Sequence, residues 1–69
     1  MFVDLYIGID IGATWLRIAL ARASGEIVKR VVLRTPREGS RDTVANVILD
    51  TVKREFSTQL ENVKAVGIG

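Results

Sequence analysis

One acidic residue and a short glycine-containing turn lie close together in residues 6–17. Asp10 ends an alternating apolar run typical of a β-strand, and Gly12-Ala13-Thr14 follows before a second apolar run begins. Because the turn has little side-chain bulk, its backbone N–H groups can face an anion directly, and Thr14 adds a hydroxyl donor. A carboxylate beside such amides suits a phosphate chelated by Mg²⁺, with Asp10 as the metal residue. The alternative is purely structural: Gly12 permits a hairpin and Asp10 ends a strand.

The elements that must position this turn are predicted from hydrophobic periodicity. After the first strand, strands are expected over residues 14–22, 26–34 and 63–68, and a helix over residues 41–57. Short links make the first three strands an antiparallel meander, and Pro36 ends the third. Since a helix separates the third and fourth strands, a parallel crossover is permitted, and the fourth strand is expected beside the first.

Strand and helix periodicity also assigns side chains to faces. In the second strand, Leu16, Ile18 and Leu20 are expected on one face, and Trp15, Arg17, Ala19 and Ala21 on the other. In the third strand, Ile27, Val31 and Leu33 are expected to oppose Val28 and Val32. The apolar stripe of the helix is expected to contain Val44, Ile48, Val52 and Phe56, widened by Ala45, Val47 and Leu49.

Length and composition exclude several classes of protein. With 69 residues, the chain makes one small domain, and 48% of its residues are apolar. It has neither cysteine nor histidine, so disulfides, thiolate metal sites and imidazole catalysis are excluded within these residues. No apolar run approaches the length of a membrane span, and the first residues lack the pattern of a secretory signal. We therefore expect a cytoplasmic protein.

The basic residues are unevenly distributed. Most of the ten fall between positions 17 and 41, although the formal net charge is only +2. Such a sector can meet the phosphates of nucleic acid or of a nucleotide. A solvated surface is the more common role for charges at this density, so a nucleic-acid partner is not expected.

The segment Gly8-Ile9-Asp10-Ile11-Gly12-Ala13-Thr14 resembles the first phosphate motif of the sugar kinase, heat-shock chaperone and actin superfamily. Its continuation, Trp15-Leu16-Arg17-Ile18-Ala19-Leu20, is most similar to ATP-dependent glucokinases and hexokinases of the repressor, open reading frame and kinase (ROK) family. The usual pattern there is Gly-x-Asp-x-Gly-Gly-Thr followed by Lys or Asn, from which this chain departs at Ala13 and Trp15. Ala13 requires the turn to avoid a glycine-only conformation. The closing Val66-Gly67-Ile68-Gly69 is similar to the start of the family's next glycine-rich segment.

The resemblance implies an α/β fold, the ribonuclease H-like (actin-like ATPase) N-terminal subdomain, with the order strand-strand-strand-helix-strand over residues 1–69. It implies that the parent protein uses ATP and Mg²⁺ to phosphorylate a hexose such as glucose. Asp10 would be the metal residue, and ATP would be bound by Asp10, Gly12, Ala13, Thr14 and Arg17, although Arg17 could equally pair within the sheet. The catalytic base and sugar ligands of the family lie in later motifs, so none is expected here. The cysteine-rich zinc segment of many ROK proteins is missing from these residues.

A sheet containing a parallel pair normally needs cover on both faces, and one helix covers only one. We therefore expect the chain to be the N-terminal part of a longer kinase, inactive alone, or to bury its uncovered sheet face in an oligomer. Two other classes stay open. One is a metal-dependent nuclease or resolvase of the same fold, which would need further carboxylates. The other is a non-catalytic ROK-type regulator or an actin-like nucleotide-binding protein.

Overall fold

The predicted elements form in the predicted order in a computed structural model, which describes residues 4–37 and 41–69. The strands are β1 (Leu5–Ile11), β2 (Trp15–Arg22), β3 (Ile27–Arg34) and β4 (Val63–Ile68). The helix α1 spans Arg41–Glu55, and the 3₁₀ helix Leu60–Asn62 leads into β4. The helix thus ends two residues earlier than expected, and the remaining bounds agree to within one residue.

The four strands form one mixed sheet in the order β3-β2-β1-β4. The β1–β2 and β2–β3 pairs are antiparallel, whereas β1 and β4 are parallel. This confirms both the meander and the position of β4, which the chain reaches by the α1 crossover. The topology is that of the predicted α/β N-terminal subdomain of a ribonuclease H-like fold.

One face of the sheet packs against α1. Alternate residues of β1 and β2 are buried there together with Phe56, which is fully buried at the end of the helix. The buried core consists of Leu5, Ile7, Ile9, Leu16, Ile18, Leu20 and Phe56. The predicted orientation of β2 is therefore confirmed. Val47, Ile48 and Val52 of the helix and Val31 and Leu33 of β3 complete this core as half-buried residues.

The expected orientation of Ile27 is wrong, because β3 contains an irregularity that periodicity does not reveal. Leu20 pairs with Lys29 but Ala21 pairs with Ile27, so one residue of β3 is skipped. An extra residue reverses the side-chain alternation beyond it. As a result, Ile27 lies on the uncovered face beside Ala21. Lys29 lies in the regular part of β3, where alternation with Val31 and Leu33 places it on the helix-facing side.

Lys29 uses that position to hold the end of the helix. Its ammonium group donates a hydrogen bond of 2.9 Å to the backbone oxygen of Glu55, the last residue of α1. The same nitrogen lies 5.7 Å from the ring centroid of Phe56. The last carbonyls of a helix lack intrahelical donors and carry partial negative charge, so a cation there is stabilising.

The helix stripe is narrower than predicted. Ala45 and Leu49 are exposed, with Leu49 at 55%. Together with residues of β4, including Ile68 at 67%, they border an apolar groove between α1 and the sheet edge. The helix covers β1 and β2 but leaves the helix-facing side chains of β4 in the open. Within the described residues, no helix is long and apolar enough to span a membrane.

Replacing Lys29 by Met should lower the free energy of unfolding by about 1 kcal/mol, because the helix end loses its cation and Phe56 loses its charged neighbour. Thermal unfolding followed by circular dichroism measures the change. Lys64→Met is the matched control, since Lys64 makes only an exposed 4.0 Å ion pair with Asp4. Equal losses for the two variants would contradict the assigned role of Lys29.

Candidate functional site

The turn between β1 and β2 is closed by one internal hydrogen bond. The backbone N–H of Gly12 donates to the oxygen of Trp15 at 3.0 Å. A β-carbon added at position 12 would lie 2.9 Å from that same oxygen, closer than real side chains approach. The turn therefore requires a residue without a β-carbon at position 12. Its own N–H is occupied within the turn, so the predicted anion contact must come from its neighbours.

Those neighbours keep their amides available. Within the described residues, neither Ala13 nor Thr14 donates its backbone N–H to another backbone group. Ala13 is exposed, and no residue other than glycine has a positive φ in the described chain. The expectation that Ala13 avoids a glycine-only conformation is thus confirmed. Two adjacent amides at a turn of small residues can receive the oxygens of an anion.

Asp10 and Arg17 lie side by side on the face of the sheet that α1 does not cover. The two residues are paired across the β1–β2 ladder. An Arg17 guanidinium nitrogen lies 3.4 Å from a carboxylate oxygen of Asp10, with the two side chains 47% and 65% exposed respectively. Such an open ion pair contributes little stability. The carboxylate therefore faces solvent and can exchange Arg17 for another cation.

A surface with small residues at its centre extends from this pair, bordered by Ile27 and Arg30. It forms a shallow depression of about 560 Å³, with Gly8, Ala19 and Gly67 as its floor. Gly69 continues the parallel ladder next to Asp10, donating to the oxygen of Ile9 at 2.8 Å and accepting from the N–H of Ile11 at 3.1 Å. An added β-carbon at Gly8, Gly67 or Gly69 would meet nothing within 4 Å. Packing within the described chain thus gives no reason for these three glycines.

Trp15 borders the turn on the same face. Its ring is half exposed, and the guanidinium carbon of Arg34 lies 5.6 Å from the ring centroid. The indole is therefore engaged with Arg34.

Sequence reasoning missed Thr35, which lies just beyond β3 and contacts the turn directly. Its hydroxyl donates to the oxygen of Gly12 and its backbone N–H donates to the oxygen of Thr14, both at 2.8 Å. The strand register carries the signal that could have found it. Since Trp15 pairs with Arg34, the next residue of β3 must lie opposite Thr14.

The donor set fits one kind of metal site and not another. Among residues 4–37 and 41–69, no group of three or more Asp, Glu, His or Cys side chains could hold a metal ion. A nuclease with two metals would need such a group. Mg²⁺ bound to nucleotide phosphates needs only one or two protein carboxylates, because waters and phosphate oxygens complete its shell. Asp10 beside the open amides of Ala13 and Thr14 fits the second case.

A comparison with protein-family models matches residues 6–69 to the ROK family. The chain belongs to the ROK family. A comparison with curated proteins gives no match. The ROK match includes both the Asp10 turn and the glycines of β4, and so confirms the resemblance that their motifs predicted. Because the family includes sugar kinases, membership supports a kinase as the parent protein.

Both departures from the usual ROK motif are explained locally. Ala13 replaces a glycine at a position where the backbone demands no positive φ, so the extra methyl group is accommodated. Trp15 replaces Lys or Asn, and Arg34 places a cation over its ring on the same face. The turn thus forms without a positive φ at either substituted position.

Replacing Gly12 by Ala should destabilise the protein by about 1–3 kcal/mol, since the methyl group must displace the Trp15 carbonyl. Gly8→Ala is the matched control: its methyl group enters open space, and stability should stay unchanged or rise by up to about 1 kcal/mol. Thermal unfolding of the two variants gives the comparison. Similar stabilities would show that the turn tolerates a side chain at position 12.

Proposed function

We propose that this chain supplies the first phosphate-binding segment of an ATP-dependent sugar kinase, which transfers the γ-phosphoryl group of ATP to a hexose such as glucose. Residues 1–69 would be the N-terminal part of its ATPase domain, acting in the cytoplasm. One observation carries the proposal. An exposed carboxylate stands beside a turn whose Ala13 and Thr14 amides have no backbone acceptor within the described residues.

The turn would bind phosphate oxygens through the backbone. The amides of Ala13 and Thr14 and the hydroxyl of Thr14 are donors without formal charge, so they suit an anion that already carries its own metal ion. Gly12 would contribute by allowing the turn to close, as its own N–H is used for that closure. The phosphate site would therefore depend mainly on the direction of two peptide N–H groups.

Asp10 would hold Mg²⁺, directly or through water, beside these phosphates. When bound, Mg²⁺ neutralises charge that builds up on the phosphate oxygens during transfer. Arg17 now balances the charge of Asp10 at 3.4 Å. Once a cation takes that role, the guanidinium is available to a phosphate oxygen. This assigns Arg17 a part in nucleotide binding in addition to its place in the sheet.

Two other acids of the described chain are poorly placed to serve as the catalytic base. Asp50 lies on the exposed side of α1 and pairs with Arg54 at 3.6 Å, and Asp4 pairs with Lys64 at the other end of the sheet. The group that accepts the proton of the sugar hydroxyl, and the groups that bind the sugar, would come from later parts of the kinase.

Mg·ATP should bind the 69-residue chain weakly and perturb Trp15, the single tryptophan, which follows the turn directly. Asp10→Asn should raise the dissociation constant of Mg·ATP about tenfold, the effect of losing one charged interaction. When a chelator removes the metal, the same substitution should leave the affinity for ATP unchanged, because the carboxylate acts through the metal. Tryptophan fluorescence and two-dimensional NMR follow both titrations.

Asp50→Asn is the matched control for this titration. It also removes a carboxylate from an exposed pair with arginine, but on the helix. Its affinity for Mg·ATP should equal that of the unchanged chain. Equal affinities for Asp10→Asn and Asp50→Asn would remove the support for Asp10 as the metal residue.

The isolated chain should show no measurable sugar kinase activity, because it holds half of a phosphate site and no base. A coupled assay with glucose and Mg·ATP measures this. Phosphorylation at a normal enzymatic rate by verified 69-residue material would contradict the assignment of the base to a later segment.

A further inference from the structure

Thr35 makes two hydrogen bonds to the phosphate turn, and no motif or comparison assigns it a role. The bonds are complementary: the side chain binds the carbonyl of Gly12 and the main chain binds the carbonyl of Thr14. Together they hold both ends of the three-residue turn against the end of β3. The backbone hydrogen bond to Thr14 already continues the β-ladder. The sheet itself therefore does not need the Thr35 hydroxyl.

The bond from the hydroxyl has a directional consequence. All peptide bonds in the described residues are trans. In a planar trans peptide, the C=O and N–H groups point in opposite directions. Since the carbonyl of Gly12 points at the Thr35 hydroxyl, the N–H of Ala13 in the same peptide unit points away from Thr35. The hydroxyl thus fixes the direction of one of the two open amides.

The next residue keeps Thr35 in place. Pro36 disfavours helical backbone at the residue before it and holds that residue extended. An extended Thr35 keeps its N–H in line with the sheet, where it meets the oxygen of Thr14 at 2.8 Å. Its side chain is half-buried, so water competes little for the hydroxyl. The hydrogen bonds to the turn and the ring of Pro36 therefore both constrain Thr35.

We propose that Thr35 is a positioning residue for nucleotide phosphate, which aims the Ala13 amide at the anion through the carbonyl of Gly12. The inference rests on the proposed function of the turn. The positioning role requires a hydroxyl donor at position 35 and does not depend on the methyl group of Thr35. Serine therefore satisfies it, whereas valine, which has nearly the same shape and keeps the backbone bond, does not.

The test compares Thr35→Val with Thr35→Ser in the isotopically labelled 69-residue chain, with Thr58→Val as a control hydroxyl deletion at an exposed position. Without ligand, the Gly12 carbonyl and Ala13 amide resonances should shift in Thr35→Val and stay near their original positions in Thr35→Ser. The dissociation constant of Mg·ATP should rise about three- to tenfold in Thr35→Val alone, the range for one lost hydrogen bond.

The possible failures are distinguishable. If the unchanged chain binds Mg·ATP and Thr35→Val binds it equally well, the positioning role is overturned while the proposed function stands. If the unchanged chain does not bind Mg·ATP, the proposed function fails and the role of Thr35 fails with it. Loss of the dispersed spectrum in Thr35→Val would make the hydroxyl a folding element and overturn the proposal. So would weakened binding by a folded Thr35→Ser variant.

Discussion

The hydrogen bond from the Gly12 N–H to the Trp15 oxygen closes the first turn and thereby sets the register of β1 against β2. A slip of one residue would turn every side chain of a strand to the opposite face. A slip of β2 would take Leu16 and its alternate neighbours out of the core, and a slip of β1 would point Asp10 into it. The same bond therefore supports the packing against Phe56 and the exposure of the carboxylate. The turn thus couples the packing of the core to the exposure of Asp10.

The two faces of the sheet carry different kinds of residues. The face under α1 holds large apolar side chains, and Lys29 fastens the helix end to it. The other face has small residues at its centre, with Gly8 and Gly67 paired across the β1–β4 ladder. Glycine weakens a strand unless something approaches the backbone closely. Nothing in the described chain does so, and the proposed function would assign the space above these glycines to a ligand or to a further segment.

Alternation predicted the strands and the core of β2, because both depend on the strict two-residue period of a strand. The period fails in β3, where the skipped residue moves Ile27 outward. Leu49 shows a different limit, since a helical wheel identifies the apolar side of α1 but not how far the sheet extends beneath it. Thr35 was missed because its partners lie across a turn, a relation set by register and not by residue type.

The proposed function requires that a magnesium-bound triphosphate binds where Asp10 meets the turn. Replacing Mg²⁺ by Mn²⁺ tests it most directly, because Mn²⁺ broadens the NMR signals of nearby nuclei according to distance. On titration with Mn·ATP, we predict the strongest broadening at Asp10, Ala13 and Thr14, with the signals of α1 unaffected. Broadening centred on the helix or on the outer part of β3, or none at saturating nucleotide, would contradict it.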